Sequence, residues 1–444
     1  MSTTLSQPSA LETAIGQAHR RYVQANPKSL EYHREAAQVL PGGNTRTVLH
    51  FAPYPLRFVK GEGSRLFDLD GHEYTDFLGE YTAGIYGHSH PTIVEAIWNA
   101  TDAGLNLGGH NLAEAEFARA VCERFRLERV RFTNSGTEAN LMAIMTARAF
   151  TGRRKIMVMD GGYHGGVLYY AHGGSPVNVP FATVVAPFND IAATRALLRQ
   201  HGPELAAVIV EPVLGSGGCV PAAPEFLQML RAETEQSATF LILDEVMTSR
   251  LAPHGLGLEW GVKADLVTLG KYVGGGMSFG AFGGRAEVME MYDPGRPDAL
   301  PHAGTFNNNV LTMQVGLKAI TEVYTPAAAA ELNQRGDRLR EALNALARKH
   351  HAPLRFTGLG SMTAAHFTPQ PVHTSADLDL GDPNLKELFF FDLLEAGFYI
   401  ARRGMIILSL PITDEDCDRL SASVEKFLIE RKELLEGWAV VVND

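Results

Sequence analysis

Six short apolar runs stand out along the middle of the chain: Arg129–Thr133, Lys155–Met159, Thr183–Val185, Ala207–Val210, Phe240–Leu243 and Leu266–Thr268. Runs of this length, rich in β-branched residues and separated by helical lengths, read as buried strands, and their alternation with helices predicts a mostly parallel sheet covered on both faces. Upstream, Leu11, Ile15, Ala18 and Tyr22 recur at a helical period from about Ala10 to Val39; Pro27 interrupts the pattern and Pro41-Gly-Gly43 ends it. Residues 64–77 alternate about Asp70-Gly71, a hairpin signal. Downstream, a helix is expected from Asn309 to about Val323. After Pro326 the chain turns rich in alanine, glutamate and leucine, with helices near Ala327–Lys349 and Asp414–Leu435 and strands near Gly360–His366 and Met405–Leu410. The expected division is a helical segment over 1–65, a large domain over 66–325 and a smaller α+β domain over 326–444.

Bulk properties narrow the class. At 444 residues the chain exceeds one ordinary core. A net charge of −11, with no lysine- or arginine-rich block, argues against a nucleic-acid partner. The opening residues lack a basic stretch followed by an apolar one and no run is long enough to span a bilayer, so a cytoplasmic protein with no membrane partner is expected. Cys122, Cys219 and Cys417 are too few and too far apart for a disulfide framework or a zinc knuckle, and no metal site is expected.

The chemistry concentrates around one lysine. In Leu266-Val-Thr-Leu-Gly-Lys-Tyr-Val-Gly-Gly-Gly276 a strand pattern breaks at Gly270 and Lys271 follows on a tight loop. A lone match of this kind more often marks a surface lysine; the alternative is an amine desolvated enough to attack an aldehyde as a Schiff-base lysine. The strand pattern Thr239–Leu243 ends on Asp244, an acid placed to pair with a cation such as a protonated pyridine nitrogen. After the strand ending at Thr133, the turn Ser135-Gly136-Thr137 opens a helix, where free N–H groups and the helix dipole favour a phosphate; an ordinary N-cap is the plainer reading of that turn by itself.

Asp244-Glu-Val-Met, Leu269-Gly-Lys-Tyr-Val-Gly-Gly-Gly276 and Gly304-Thr-Phe resemble the class III aminotransferases, fold-type I pyridoxal-phosphate (PLP) enzymes that include glutamate-1-semialdehyde aminomutase; within them, the β-amino-acid aminotransferases are most similar. The resemblance implies an α/β fold: a large domain with a mostly parallel sheet of the seven-stranded type and a smaller α+β domain. It also implies PLP on Lys271, Asp244 at the ring nitrogen, Tyr163 and Val246 on opposite ring faces, Glu211 in a supporting part, and Ser135, Gly136 and Thr137 at the phosphate. Thr305 would reach the phosphate of a neighbouring subunit, which implies a homodimer with shared sites.

By the same resemblance Arg46 and Arg403 bind substrate carboxylates, for which a planar guanidinium suits, and Tyr81, Tyr86, Val48 and Met247 line an aromatic pocket. The expected reaction is ping-pong transfer from an aromatic β-amino acid to 2-oxoglutarate or pyruvate. Alternatives are an ω-amine:pyruvate transaminase, a 2,1-aminomutase and a non-catalytic PLP-binding protein. Aminomutases usually carry Gly-Phe-Arg where this chain has Ser249-Arg250-Leu251, and Thr-x-Ser-Gly-Asn where it has Thr305-Phe-Asn-Asn-Asn309, which lowers that alternative.

Overall fold

In the computed structural model, which describes residues 9–171 and 173–441, seven strands build one sheet. In chain order they are β1 Arg129–Thr133, β2 Lys155–Met159, β3 Ala182–Ala186, β4 Leu205–Val210, β5 Phe240–Asp244, β6 Leu266–Gly270 and β7 Gly280–Gly284. Their spatial order is β1-β7-β6-β5-β4-β2-β3. Wherever β2 to β6 pair with each other they run parallel, and β7 lies antiparallel between β6 and β1. Strands β4 and β5 are buried at every position, because helices such as Gly136–Thr151 and Pro224–Ser237 cover the faces.

The sequence pattern placed six of the seven strands; β7 is the exception. Gly-Ala-Phe-Gly-Gly carries little strand propensity, and packing dictates its glycines: a Cβ on Gly280 would lie 2.0 Å from the Ser135 carbonyl oxygen, and one on Gly284 2.1 Å from that of Asp265. The backbones approach too closely for any side chain.

Other elements follow their signals with shifted ends. The first helical stretch divides at Asn26 into Ala10–Ala25, with a Ser9/Glu12 capping box, and Pro27–Ala36, which starts on a proline. The expected Asn309–Val323 helix is Val310–Lys318, capped by Asn309, continued by a π-helical turn over Ala319–Val323. The hairpin pairs Arg65–Asp68 with Glu73–Asp76, and Asp70 at its tip accepts from the backbone N–H groups of Lys28 and Ser29 at 2.7 and 3.0 Å. Strand Glu73–Asp76 also pairs parallel with Phe398–Tyr399.

Near the C-terminus, Leu354–Leu359, Met362–Phe367 and Met405–Ile407 form an antiparallel sheet. The first was missed, Gly358 and Gly360 masking it. Helix Pro383–Glu395 packs against helix Ala10–Ala25, through a 2.8 Å contact between His19 and Glu387 and an edge-on contact of Tyr22 with Phe391. No helix among the described residues is long and apolar enough to cross a membrane. Residues 1–8, on which the expectation about the chain's opening rests, lie outside the described ones.

Candidate active site

Parallel strands place their carboxyl ends along one edge of a sheet, and ligands of open α/β sheets bind in the crevice outside that edge. Here the edge carries Ser135 after β1, Tyr163 after β2, Glu211 after β4, Asp244 at the end of β5 and Lys271 after β6. Strand order thus gathers residues scattered over more than a hundred positions.

Asp244 is 4 % exposed and its carboxylate is held from several sides. Its Oδ2 accepts from the Asn140 side-chain amide at 2.7 Å and lies 2.8 Å from His164 Nδ1, while Oδ1 accepts from the Val246 backbone N–H at 3.0 Å. The Asn140 amide also donates to the His164 carbonyl at 2.9 Å, and its Oδ1 accepts from the Thr268 hydroxyl at 2.6 Å. Asn140 and His164 were not singled out from the sequence, although both sit next to residues that were: Asn140 one helical turn past Ser135-Gly136-Thr137, His164 immediately after Tyr163.

Lys271 opens its turn at φ +51°, a left-handed conformation that a lysine adopts only under surrounding constraint. Burial pushes its ammonium below the usual lysine range; the Asp244 carboxylate opposes that shift, and Arg403 and Arg46 add to it. Tyr86, 4 % exposed, donates to the Tyr272 carbonyl at 2.8 Å, so it braces this turn from beneath.

Glu211 accepts from the backbone N–H groups of Tyr163 at 2.9 Å and Gly215 at 3.1 Å. Burial, reinforced by Asp244 and opposed by His164, pushes its carboxyl up to about 7. The Tyr163 ring stands 40 % exposed and meets Tyr169 edge-on. Gly136, Gly270 and Val246 converge: a Cβ on Gly136 would lie 2.9 Å from both Val246 methyls, and one on Gly270 3.1 Å from Val246 Cγ1. Ser135 caps the helix Gly136–Thr151 by accepting from the Glu138 N–H at 3.2 Å, and Thr137 packs over Gly165. The turn is therefore an N-cap as well as a phosphate candidate.

The two arginines meet one turn, Arg403 at Tyr81 and Arg46 at Glu80. The Arg403 guanidinium lies 4.8 Å from the Tyr81 ring centroid and donates to Ser216 Oγ at 3.1 Å. The Tyr81 hydroxyl donates to the Val48 carbonyl at 3.1 Å, while Arg46 forms an ion pair with Glu80. The Val48 side chain is exposed, and Met247 packs against Gly215 beside Glu211. Thr305 and Phe306 are exposed, on a loop tied to the phosphate turn by the Asn134 amide donating to Asn307 Oδ1 at 3.0 Å. Arg250, where the aminomutase pattern diverges, is fully buried and binds Ser361 Oγ and the Leu408 carbonyl, a structural role. Among the described residues no group of three or more His, Cys, Asp and Glu could hold a metal ion.

A doubly covered parallel sheet presenting one depressed lysine and two buried carboxylates at its carboxyl edge is built for amine chemistry on a carbonyl reagent. The class-III aminotransferase family profile matches residues 50–428, and the chain belongs to that family, which implies PLP as cofactor. It is 52 % identical over 420 residues to the β-phenylalanine transaminase of Variovorax paradoxus, covering 94 % of this chain and 96 % of that one. The crystal structure of the β-phenylalanine aminotransferase from that organism superposes with a TM-score of 0.95 over 96 % of this chain and 99 % of its own. An ω-transaminase from Sphaerobacter thermophilus is 36 % identical, with a TM-score of 0.86 over 91 % and 98 % of the two chains. A glutamate-1-semialdehyde 2,1-aminomutase of Brevibacillus brevis is 38 % identical over 88 % of this chain and 96 % of its own.

Proposed function

We propose that this aminotransferase moves the amino group of an aromatic β-amino acid, such as β-phenylalanine, to 2-oxoglutarate or pyruvate by a ping-pong reaction with PLP. The observation that carries the reading is that Arg46, paired with Glu80, and Arg403, over the Tyr81 ring, meet the same turn in a chain 52 % identical to a β-phenylalanine transaminase. One arginine takes the carboxylate of the donor, the other the α-carboxylate of the acceptor.

The residues present fit PLP. Asp244 Oδ1 accepts only from a backbone N–H, which leaves it capacity for a ring N–H. The unstacked face of Tyr163 and the methyls of Val246 offer two sides of a slot, and the first N–H groups of the helix at Gly136 have no intrahelical acceptors and suit a phosphate. When bound, PLP supplies an electron sink for the carbanion formed at the substrate carbon. Lys271 is the residue that would hold the cofactor carbonyl, and its amine, depressed by burial, would serve as the base that moves a proton at the substrate carbon. Asp244, held by Asn140 and His164, would keep the ring nitrogen protonated. Glu211 holds the backbone of Tyr163 in place.

We also read the enzyme as a cytoplasmic homodimer of three units, 1–65, 66–325 and 326–444. Leu112 is 87 % exposed and Phe306 57 % exposed, on neighbouring segments joined by the Asn111 amide donating to the Asn308 carbonyl at 2.8 Å. An apolar face of that kind, beside Thr305, supports association with a second copy. The three free cysteines fit a reducing compartment.

The test is to mix the PLP-loaded enzyme with 3-amino-3-phenylpropanoate and no acceptor. Loss of the cofactor's absorbance with release of one keto acid per site is expected; no spectral change, with loss on adding a simple chiral amine, would overturn the donor and favour the ω-amine reading. Arg403→Ala is expected to raise KM for the keto acid; unchanged acceptor kinetics would remove it from that role.

A further inference from the structure

The turn that carries Tyr81 is strained. Gly79, Glu80, Tyr81 and Thr82 all have positive φ, at 51°, 49°, 51° and 82°, and three of the four have side chains. Such backbone is costly and persists where surroundings impose it, typically at functional sites. Asp76 holds the start of this turn by accepting from the N–H groups of Leu78 and Gly79 at 2.9 and 3.0 Å. The Tyr81 hydroxyl holds its far side to the Val48 carbonyl. Strain at Glu80 thus delivers its carboxylate to Arg46, while the next residue places its ring against Arg403.

The two arginines are not equivalent as a result. Arg46 is neutralised by Glu80. Arg403 faces a neutral hydroxyl, a thioether and an aromatic ring, and no carboxylate lies within 4 Å of it among the described residues. An incoming carboxylate meets a free cation at Arg403 and an occupied one at Arg46.

We propose that Glu80 is a specificity-determining residue: an internal carboxylate that balances the charge of Arg46, so that its subsite takes either a substrate carboxylate, which displaces Glu80, or an uncharged group, which leaves the pair intact. This rests on the reading of Arg46 as a carboxylate site. The exchange is nearly balanced, because both side chains are about half exposed, 45 % and 51 %, and an exposed ion pair is weak. A buried pair would resist displacement. Glu80 therefore acts through Arg46 on discrimination, and its effect belongs in KM.

The experiment uses PLP-loaded wild type, Glu80→Gln and Glu80→Asn. Asparagine tolerates positive φ, so one neutral variant is available without added strain should the other fail to fold. Half-reactions are followed with 3-amino-3-phenylpropanoate and with 1-phenylethylamine, which lacks the carboxylate. Removing Glu80 leaves Arg46 unpaired, so KM for the β-amino acid is expected to fall about two- to five-fold with kcat within about two-fold, while kcat/KM for the amine falls. An unchanged preference, or one moving toward the amine, overturns the proposal. If the wild type itself gives no half-reaction with the β-amino acid, the substrate reading fails, and calorimetric titration with 3-phenylpropanoate decides Glu80 separately. Binding tighter in Glu80→Gln than in wild type, and weakened in Arg46→Ala, sustains it; equal or absent binding overturns it.

Discussion

Asn140→Leu removes the side chain that joins three elements of the site. Asn140 is 1 % exposed and its amide makes three hydrogen bonds: to Asp244, to the His164 carbonyl and from Thr268. Leucine keeps the branched outline of asparagine with bulkier ends, so the change removes polarity, leaves no cavity and adds, if anything, some overpacking. The bond to the Asp244 carboxylate is charge-assisted and contributes about 1.5–3 kcal/mol, and the Thr268 hydroxyl, 0 % exposed, is left without its acceptor at a cost of about 1–3 kcal/mol. Together these give a loss of roughly 3–5 kcal/mol. Thr268→Val strands Asn140 Oδ1 in the same way, at about 1–3 kcal/mol. The double variant removes both partners, so it should be more stable than the sum of the single losses by about 1–2 kcal/mol. The assay is denaturant unfolding of all four proteins at one fixed excess of PLP, since ligand binding shifts apparent stability. Turnover of Asn140→Leu should drop by about a hundred-fold, because Asp244 loses one of the groups that aim it. A loss of less than about 1 kcal/mol, or strict additivity in the cycle, would refute the network.

Lys271→Ala should abolish turnover while PLP still binds non-covalently, observed as cofactor retained on gel filtration but released by denaturation even after borohydride treatment, which fixes it to the wild type. Asp244→Asn should lower the rate by several orders of magnitude. It should also move the Lys271 titration further down, because the carboxylate it removes is the main group raising that amine's pKa against burial; the rate of PLP recombination, which needs the free amine, should then plateau at lower pH than in wild type, and an upward displacement would contradict the geometry. Gly280→Ala presses a methyl into the Ser135 carbonyl between two strands of the sheet and should cost about 1–3 kcal/mol or more and weaken PLP binding. Gly16→Ala, on a half-buried position of the first helix whose Cβ would meet only the end of Arg20 at 3.7 Å, should instead stabilise by up to about 1 kcal/mol, so opposite signs in thermal unfolding check the pair.

Most of the large sheet was legible because parallel strands buried on both faces leave uninterrupted apolar runs, which need no knowledge of their neighbours. Strand β7 was not, because its residues answer to backbone atoms of Ser135 and Asp265 that are remote in sequence. Leu354–Leu359 was missed for a more local reason: glycines at 358 and 360 look like a loop, yet a Cβ on Gly358 would lie 2.1 Å from the Met362 carbonyl oxygen across the hairpin. Local propensity misleads wherever tertiary contact chooses the residue.

The site divides along the same line. Lys271, Asp244 and the Ser135 turn were legible as candidates because each punctuates the end of a strand, and the order of the sheet brings those ends to one edge. The residues that set their chemistry carry no such punctuation. Asn140 lies inside a helix, His164 reads as part of a glycine-rich turn, and Glu80 as an ordinary surface acid. Their importance appears only when distances do: 2.7 and 2.8 Å to the Asp244 carboxylate for the first two, and an ion pair with Arg46 for the third. Glu80 shows the consequence for function. The sequence presents Arg46 and Arg403 as two like cations, yet a strained turn pairs Arg46 with Glu80, so on the proposal above the choice between a carboxylate-bearing and an uncharged donor rests on a residue that no sequence signal marks.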